Sequence, residues 1–186
     1  MNPQLDIETI EAVLAKADQL YTEREISAAL DEIAGNITRQ LHNKHPVCLS
    51  IMLGGLVPAG QLLPRLNFPV EIDYIHATRY RGATEGNELH WIKYPSISLE
   101  NRTVLLIDDI LDEGLTLQAV VEYCQQQGAE QVFTAALVEK QHKRRIGLQH
   151  ADFTGLTVPD RYVFGYGMDY QNQLRYVAGI YAVHGL

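Results

Sequence analysis

A chain of 186 residues, 46% of them hydrophobic, is long enough to bury one substantial core. Its formal charge of −8 argues against a general nucleic-acid or anionic-membrane surface, so any polyphosphate must meet local cations or a bound metal. No apolar run reaches the length of a membrane span, MNPQLDIETIE lacks the order of a signal peptide, and Cys48 and Cys124 read as buried thiols in a reducing cytoplasm.

Ile7, Ile10, Leu14, Ala17 and Leu20 fall at helical spacing and predict an amphipathic helix over 5–20. Thr22 and Glu25 form a Thr-x-x-Glu capping box, and the stripe Ile26, Leu30, Ile33, Ile37 and Leu41 carries a second helix to about His42. His42 and His45 have no third ligand nearby and read as solvated. Residues 47–53, VCLSIML, predict a buried strand running into Gly54-Gly55 and a short helix to about Leu66. Such glycines let backbone N–H groups approach an anion, and tight packing explains them equally well. Residues 70–77 predict a third strand. Residues 78–88, TRYRGATEGNE, read as a long loop of the kind that covers a site, the alternative being an antiparallel excursion with solvated arginines.

Residues 103–117, TVLLIDDILDEGLTL, hold the most informative pattern. The apolar run 104–107 predicts a strand buried on both faces, and its C-terminal edge is where a ligand sits in a parallel sheet. Asp108 and Asp109 leave that strand in different directions, which suits two ribose hydroxyls or a hydrated magnesium. Gly114 permits a tight turn, and a helix starting near Thr116 offers N–H groups and a positive dipole end to a phosphate. Together they imply a ribose-5-phosphate ligand, although acids after a buried strand also serve as helix caps. A helix to about Gln127, a stop at Gly128 and an apolar run over 131–138 repeat the strand–helix–strand unit, so the chain predicts a doubly wound, mostly parallel α/β sheet flanked by helices. KQHKRR, over 140–145, is a short basic cluster. Residues 160–170 combine a strand, glycines and aromatics, with Arg175 following.

Residues 104–116 resemble the phosphoribosyl pyrophosphate signature of the type I phosphoribosyltransferases, whose Asp-Thr-Gly-Lys-Thr appears as Asp112-Glu113-Gly114-Leu115-Thr116. Met52-Leu53-Gly54-Gly55 resembles that family's pyrophosphate loop, where a cis peptide often falls between the residues matching Met52 and Leu53. Residues 160–170 resemble the purine-binding segment of the hypoxanthine-guanine members. The resemblance implies one domain with a core over about 47–150 and a small hood built from the chain ends, 5–45 and 151–186. It implies transfer of phosphoribosyl from phosphoribosyl pyrophosphate to hypoxanthine or guanine in cytoplasmic purine salvage, with magnesium, by a homodimer or homotetramer. A nonenzymatic sensor of the donor, or a xanthine transferase, are the rivals.

Site roles follow from the same resemblance. Asp108 and Asp109 would hold the ribose hydroxyls and metal, Asp112 would act as general base, and Glu113, Gly114, Leu115 and Thr116 would wrap the 5′-phosphate. Leu53, Gly54, Gly55, Arg79, Tyr80 and Arg81 would meet pyrophosphate, Lys140 the 6-oxo group, Tyr162 and Val163 the base, Asp169 the metal, and Arg175 pyrophosphate. Because like charges should not share a phosphate cradle, Glu113 is expected to turn its side chain to solvent and lend only its backbone N–H, with Thr116 supplying a hydroxyl.

Overall fold

The computed structural model describes residues 5–79 and 89–185. In chain order these form α1 (Ile7–Lys16), β1 (Asp18–Tyr21), α2 (Glu23–Leu41), β2 (Val47–Met52), α3 (Leu56–Leu62), a 3₁₀ turn (Leu63–Arg65), β3 (Glu71–Arg79) and β4 (Leu89–Lys93). Then follow β5 (Thr103–Leu111), α4 (Leu115–Gln126), β6 (Gln131–Gln141), β7 (Phe153–Pro159), β8 (Val163–Phe164) and β9 (Ile180–Ala182).

The larger sheet has the order β4-β3-β2-β5-β6-β7 and is parallel except for the β3–β4 pair. Its centre is apolar on both faces. Leu105 and Ile107 of β5 pack with α2 and α3, whereas Val104 and Leu106 pack with Leu117, Val120 and Cys124 of α4. This period-two division is what a strand sandwiched between helical layers requires. From β2 the chain first adds β3 on one side and later returns to add β5 on the other. The sheet's order therefore reverses between β2 and β5, and the crevice at their C-terminal ends is the natural ligand site.

Helix α2 carries the expected capping box, with Glu25 Oε2 accepting from the Thr22 N–H at 2.8 Å, and its stripe from Ile26 to Leu41 is buried. Gly155 in β7 lets α2 lie close, since a Cβ there would come 2.9 Å from Ile33 Cδ1.

The first helix is shorter than its spacing predicts. It ends at Ala17 in extended geometry, and residues 18–21 pair antiparallel with β9, so Leu20 lies in a strand. β9 also pairs with β8, giving a small sheet, β1-β9-β8, made from both ends of the chain. Ile10, Val13 and Leu14 of α1 pack against Phe164, Leu174 and Val183 beside it. The N-terminal helices thus divide: α1 belongs to this appendage, and α2 mainly covers the large sheet.

Cys48 and Cys124 are free and buried, and burial pushes both thiols up to about 12. No helix among the described residues is long and apolar enough to cross a membrane.

Candidate active site

The turn after β2 and the end of β5 are built against each other. The Met52–Leu53 peptide is cis, and Gly55 N–H donates to the Ile51 carbonyl at 2.8 Å. A Cβ on Gly54 would overlap the Asp109 carboxylate, so glycine is what lets the loop sit on that acid. β5 extends through both aspartates instead of ending before them. The Asp108 carboxylate accepts from the Asp109 N–H at 3.0 Å, and Asp109 accepts from the Ile110 N–H at 2.7 Å. Both side chains are buried. Burial, and for Asp108 the neighbouring charge of Asp109, raise both carboxyls above the ordinary range. A cation brought there would favour their ionised forms.

Beyond β5, Gly114 adopts φ +79° and caps α4, leaving the helix's first N–H groups without a side-chain cap bond. Its carbonyl and that of Glu113 accept from the amides of residues 146–148 at 2.9–3.2 Å, which fixes the loop. Asp112 lies between two donors. Lys140 Nζ is 2.7 Å from Oδ2 and His142 Nε2 is 2.7 Å from Oδ1. Burial would raise this carboxyl, but the two partners outweigh it and hold it below its ordinary value. Arg145 Nε donates to the Asp112 carbonyl at 3.1 Å, while Nη1 meets Glu139 at 2.7 Å.

The third wall comes from the segment after β8. Arg175 Nη2 pairs with Asp169 at 2.6 Å, and its Nη1 lies 3.9 Å from Asp109 Oδ2. Gly167, at φ +108°, packs against the Gly54 carbonyl and the Asp109 Cβ, and so ties this segment to the first two.

The phosphoribosyl transferase domain family matches residues 16–172. A hypoxanthine-guanine phosphoribosyltransferase of Staphylococcus aureus (strain Mu50 / ATCC 700699) is 32% identical over 157 residues, 84% of this chain and 87% of that protein. Its Staphylococcus epidermidis counterpart is 31% identical with the same coverage. The chain belongs to the phosphoribosyl transferase family. A solved hypoxanthine phosphoribosyltransferase from Staphylococcus aureus has a TM-score of 0.85 at 28% identity, covering 96% of both chains. A hypoxanthine-guanine-xanthine phosphoribosyltransferase has a TM-score of 0.81 at 27% identity, covering 89% of this chain and 96% of that one.

Within this phosphoribosyl transferase fold, Gly54, Asp108, Asp109, Asp169 and Arg175 come together as one cluster, and Asp112, Lys140 and the turn 113–116 as another. Leu53 is exposed beside the first. Glu113 is of intermediate burial, and its backbone carbonyl accepts from the Ile146 and Gly147 amides. Tyr162 is 36% exposed and meets Tyr170 in a T-shaped contact at 5.5 Å, while the neighbouring Val163 is buried in β8. Arg79 ends β3; its side chain, Tyr80 and Arg81 lie outside the described residues. Leu89–Lys93, just beyond, forms the antiparallel edge strand.

His142 and Arg145 were not singled out by sequence. Both sit in KQHKRR, where a basic run hides their separate roles. The usable signal is that residues 140 and 142 are two apart at a strand end and so share a face. Among the described residues no three His, Cys, Asp or Glu side chains converge as a metal cage. Magnesium, however, commonly binds through one or two carboxylates plus substrate oxygens and water. The buried Asp108–Asp109 pair and nearby Asp169 fit that mode.

Proposed function

We propose that the protein transfers the 5-phosphoribosyl group of phosphoribosyl pyrophosphate to hypoxanthine or guanine, giving IMP or GMP and pyrophosphate. The observation that carries this reading is Asp112, held between Lys140 and His142 at the switch-point crevice, next to the helix start at Gly114. A sensor needs the phosphate and ribose contacts, but not a carboxylate beside a lysine poised for a base.

Breaking the bond at the anomeric carbon leaves an oxocarbenium-like centre and a strongly anionic leaving group, so the site must stabilise charge and exclude water. Asp108 and Asp109 bind the ribose hydroxyls. The turn 113–116 and the start of α4 bind the 5′-phosphate, with Thr116 offering its hydroxyl. The β2 turn, Arg79, Tyr80 and Arg175 meet the pyrophosphate. Asp112 takes the purine proton, Lys140 turns from Asp112 to donate to the 6-oxo group, Tyr162 covers the ring and Val163 reads its edge through the backbone. Asp169 with Asp108 and Asp109 would hold magnesium, which neutralises pyrophosphate charge when bound.

Two buried thiols support a cytoplasmic setting. Self-association is best served by the edge of the sheet at β3 and β4, where Ile72, Tyr74 and Ile92 are exposed. The test of function is to incubate the protein with magnesium, the donor and hypoxanthine, guanine or xanthine, and to assay each nucleotide. IMP and GMP are expected; donor binding without any nucleotide would leave the sensor in its place.

A further inference from the structure

His142 is the buried ionisable side chain next to Asp112 that the proposed mechanism does not use. Only 2% of its side chain is exposed. Its Nδ1 lies 3.0 Å from the backbone nitrogen of Arg144, a group that can only donate, so Nδ1 is the acceptor and the ring hydrogen sits on Nε2. Nε2 therefore donates to Asp112 Oδ1 at 2.7 Å, while Lys140 occupies Oδ2 at the same distance. Both ring nitrogens are satisfied in one tautomer.

We propose that His142 is a positioning residue for Asp112, fixing one carboxylate oxygen so that the other is presented to the purine. The proposal rests on the phosphoribosyl-transfer reading. When Lys140 turns to the 6-oxo group, Oδ2 is uncovered, and Oδ1 stays bound to a ring that packing and the Arg144 amide hold still. The proton leaves a ring nitrogen of the base for Oδ2 as the base bonds to the anomeric carbon, and pyrophosphate departs with the electron pair of the broken C–O bond. Arg145 grips only the Asp112 backbone carbonyl, so without His142 the carboxylate rotates about its own bonds. Misaim of this kind costs up to roughly 100-fold in rate.

The test compares His142→Phe, which keeps the buried ring volume and removes the donor, with His142→Gln, which keeps an N–H donor. His142→Phe should lower kcat by roughly 10- to 100-fold with donor affinity unchanged, and His142→Gln should recover most of it. In an Asp112→Asn background, His142→Phe should change kcat by no more than about twofold, because the group it aims is gone. Nitrogen NMR of the imidazole in the unmodified protein should show the Nε2–H tautomer, a readout that survives if a variant does not fold. Unchanged kcat in His142→Phe, an equal loss in both backgrounds, or an Nδ1–H tautomer would each overturn the proposal while leaving the transfer reading intact. Absence of transfer by the unmodified protein would overturn that reading and the proposal with it.

Discussion

Asp112 and Lys140 are each other's partners at 2.7 Å, and in the proposed mechanism Lys140 then sets the choice of base. Against adenine, whose 6-amino group is also a donor, Lys140 would face a second donor in a site closed to water. That costs on the order of 3 kcal/mol, about a hundredfold or more in kcat/KM relative to hypoxanthine. Competition between the two bases for limiting donor measures it, and comparable turnover of adenine would remove Lys140 from the pocket. Asp73 makes a purely structural case. It accepts from the Tyr74, Ser96 and Ile97 amides and lies 3.8 Å from Lys93, which anchors the connector leading to β5. Burial raises its carboxyl, but those amides and Lys93 outweigh it and set it below 3.8. The stability it adds is therefore fully present above that ordinary value and is lost as pH falls through the lower folded one. Asp73→Ala should cost about 1–3 kcal/mol at neutral pH, and urea titrations should show the deficit shrinking below about pH 4. The acids of the candidate site stand out in the sequence because Asp108, Asp109 and Asp112 follow an unmistakable apolar run, although β5 continues through the first two. His142 does not, because its role depends on a partner 30 residues away and a backbone amide that only the folded turn supplies.

At the scale of elements, the tightest requirement falls on the turn into α4. Gly114 holds a left-handed φ of +79°, and a Cβ there would also overlap the Leu148 carbonyl. Gly114→Ala should cost at least about 1–2 kcal/mol from the backbone alone and weaken donor binding, because the displaced turn aims the helix N–H groups elsewhere. Calorimetry with the donor, beside a urea titration, separates the two effects; full stability and affinity would show the turn to be more tolerant than its geometry implies. The elements that sequence revealed are those specified locally: α2 by its cap and stripe, β2, β5 and β6 by apolar runs. The strand β1 was hidden because residues 18–21 continue a helical spacing, and only pairing with β9 overrides it. β4 and β7 are likewise held by non-local pairing, and Gly155 and Pro159 obscure the second.

For the whole molecule, both ends of the chain build one small sheet beside a doubly wound one, and the proposed ligand groups converge where the larger sheet's strand order reverses. The exposed Ile72 and Tyr74 lie on one face of β3, and Ile92 is exposed on neighbouring β4 where the pairing shifts register. If that edge of the sheet joins copies of the chain, Ile72→Glu with Ile92→Glu should yield a smaller species in analytical ultracentrifugation without loss of helix content; an unchanged mass would place the contact elsewhere. The central claim is that the crevice carries out transfer with Asp112 as the base, and binding alone does not test it. The direct measurement is a single-turnover reaction of excess protein with magnesium, phosphoribosyl pyrophosphate and hypoxanthine, run for the unmodified chain and for Asp112→Asn with donor affinity measured alongside. The unmodified chain should form IMP and pyrophosphate in equal amounts, and Asp112→Asn should do so about 10²–10⁴-fold more slowly at unchanged donor affinity. Donor binding with no nucleotide formed, or an undiminished rate in Asp112→Asn, would contradict the account.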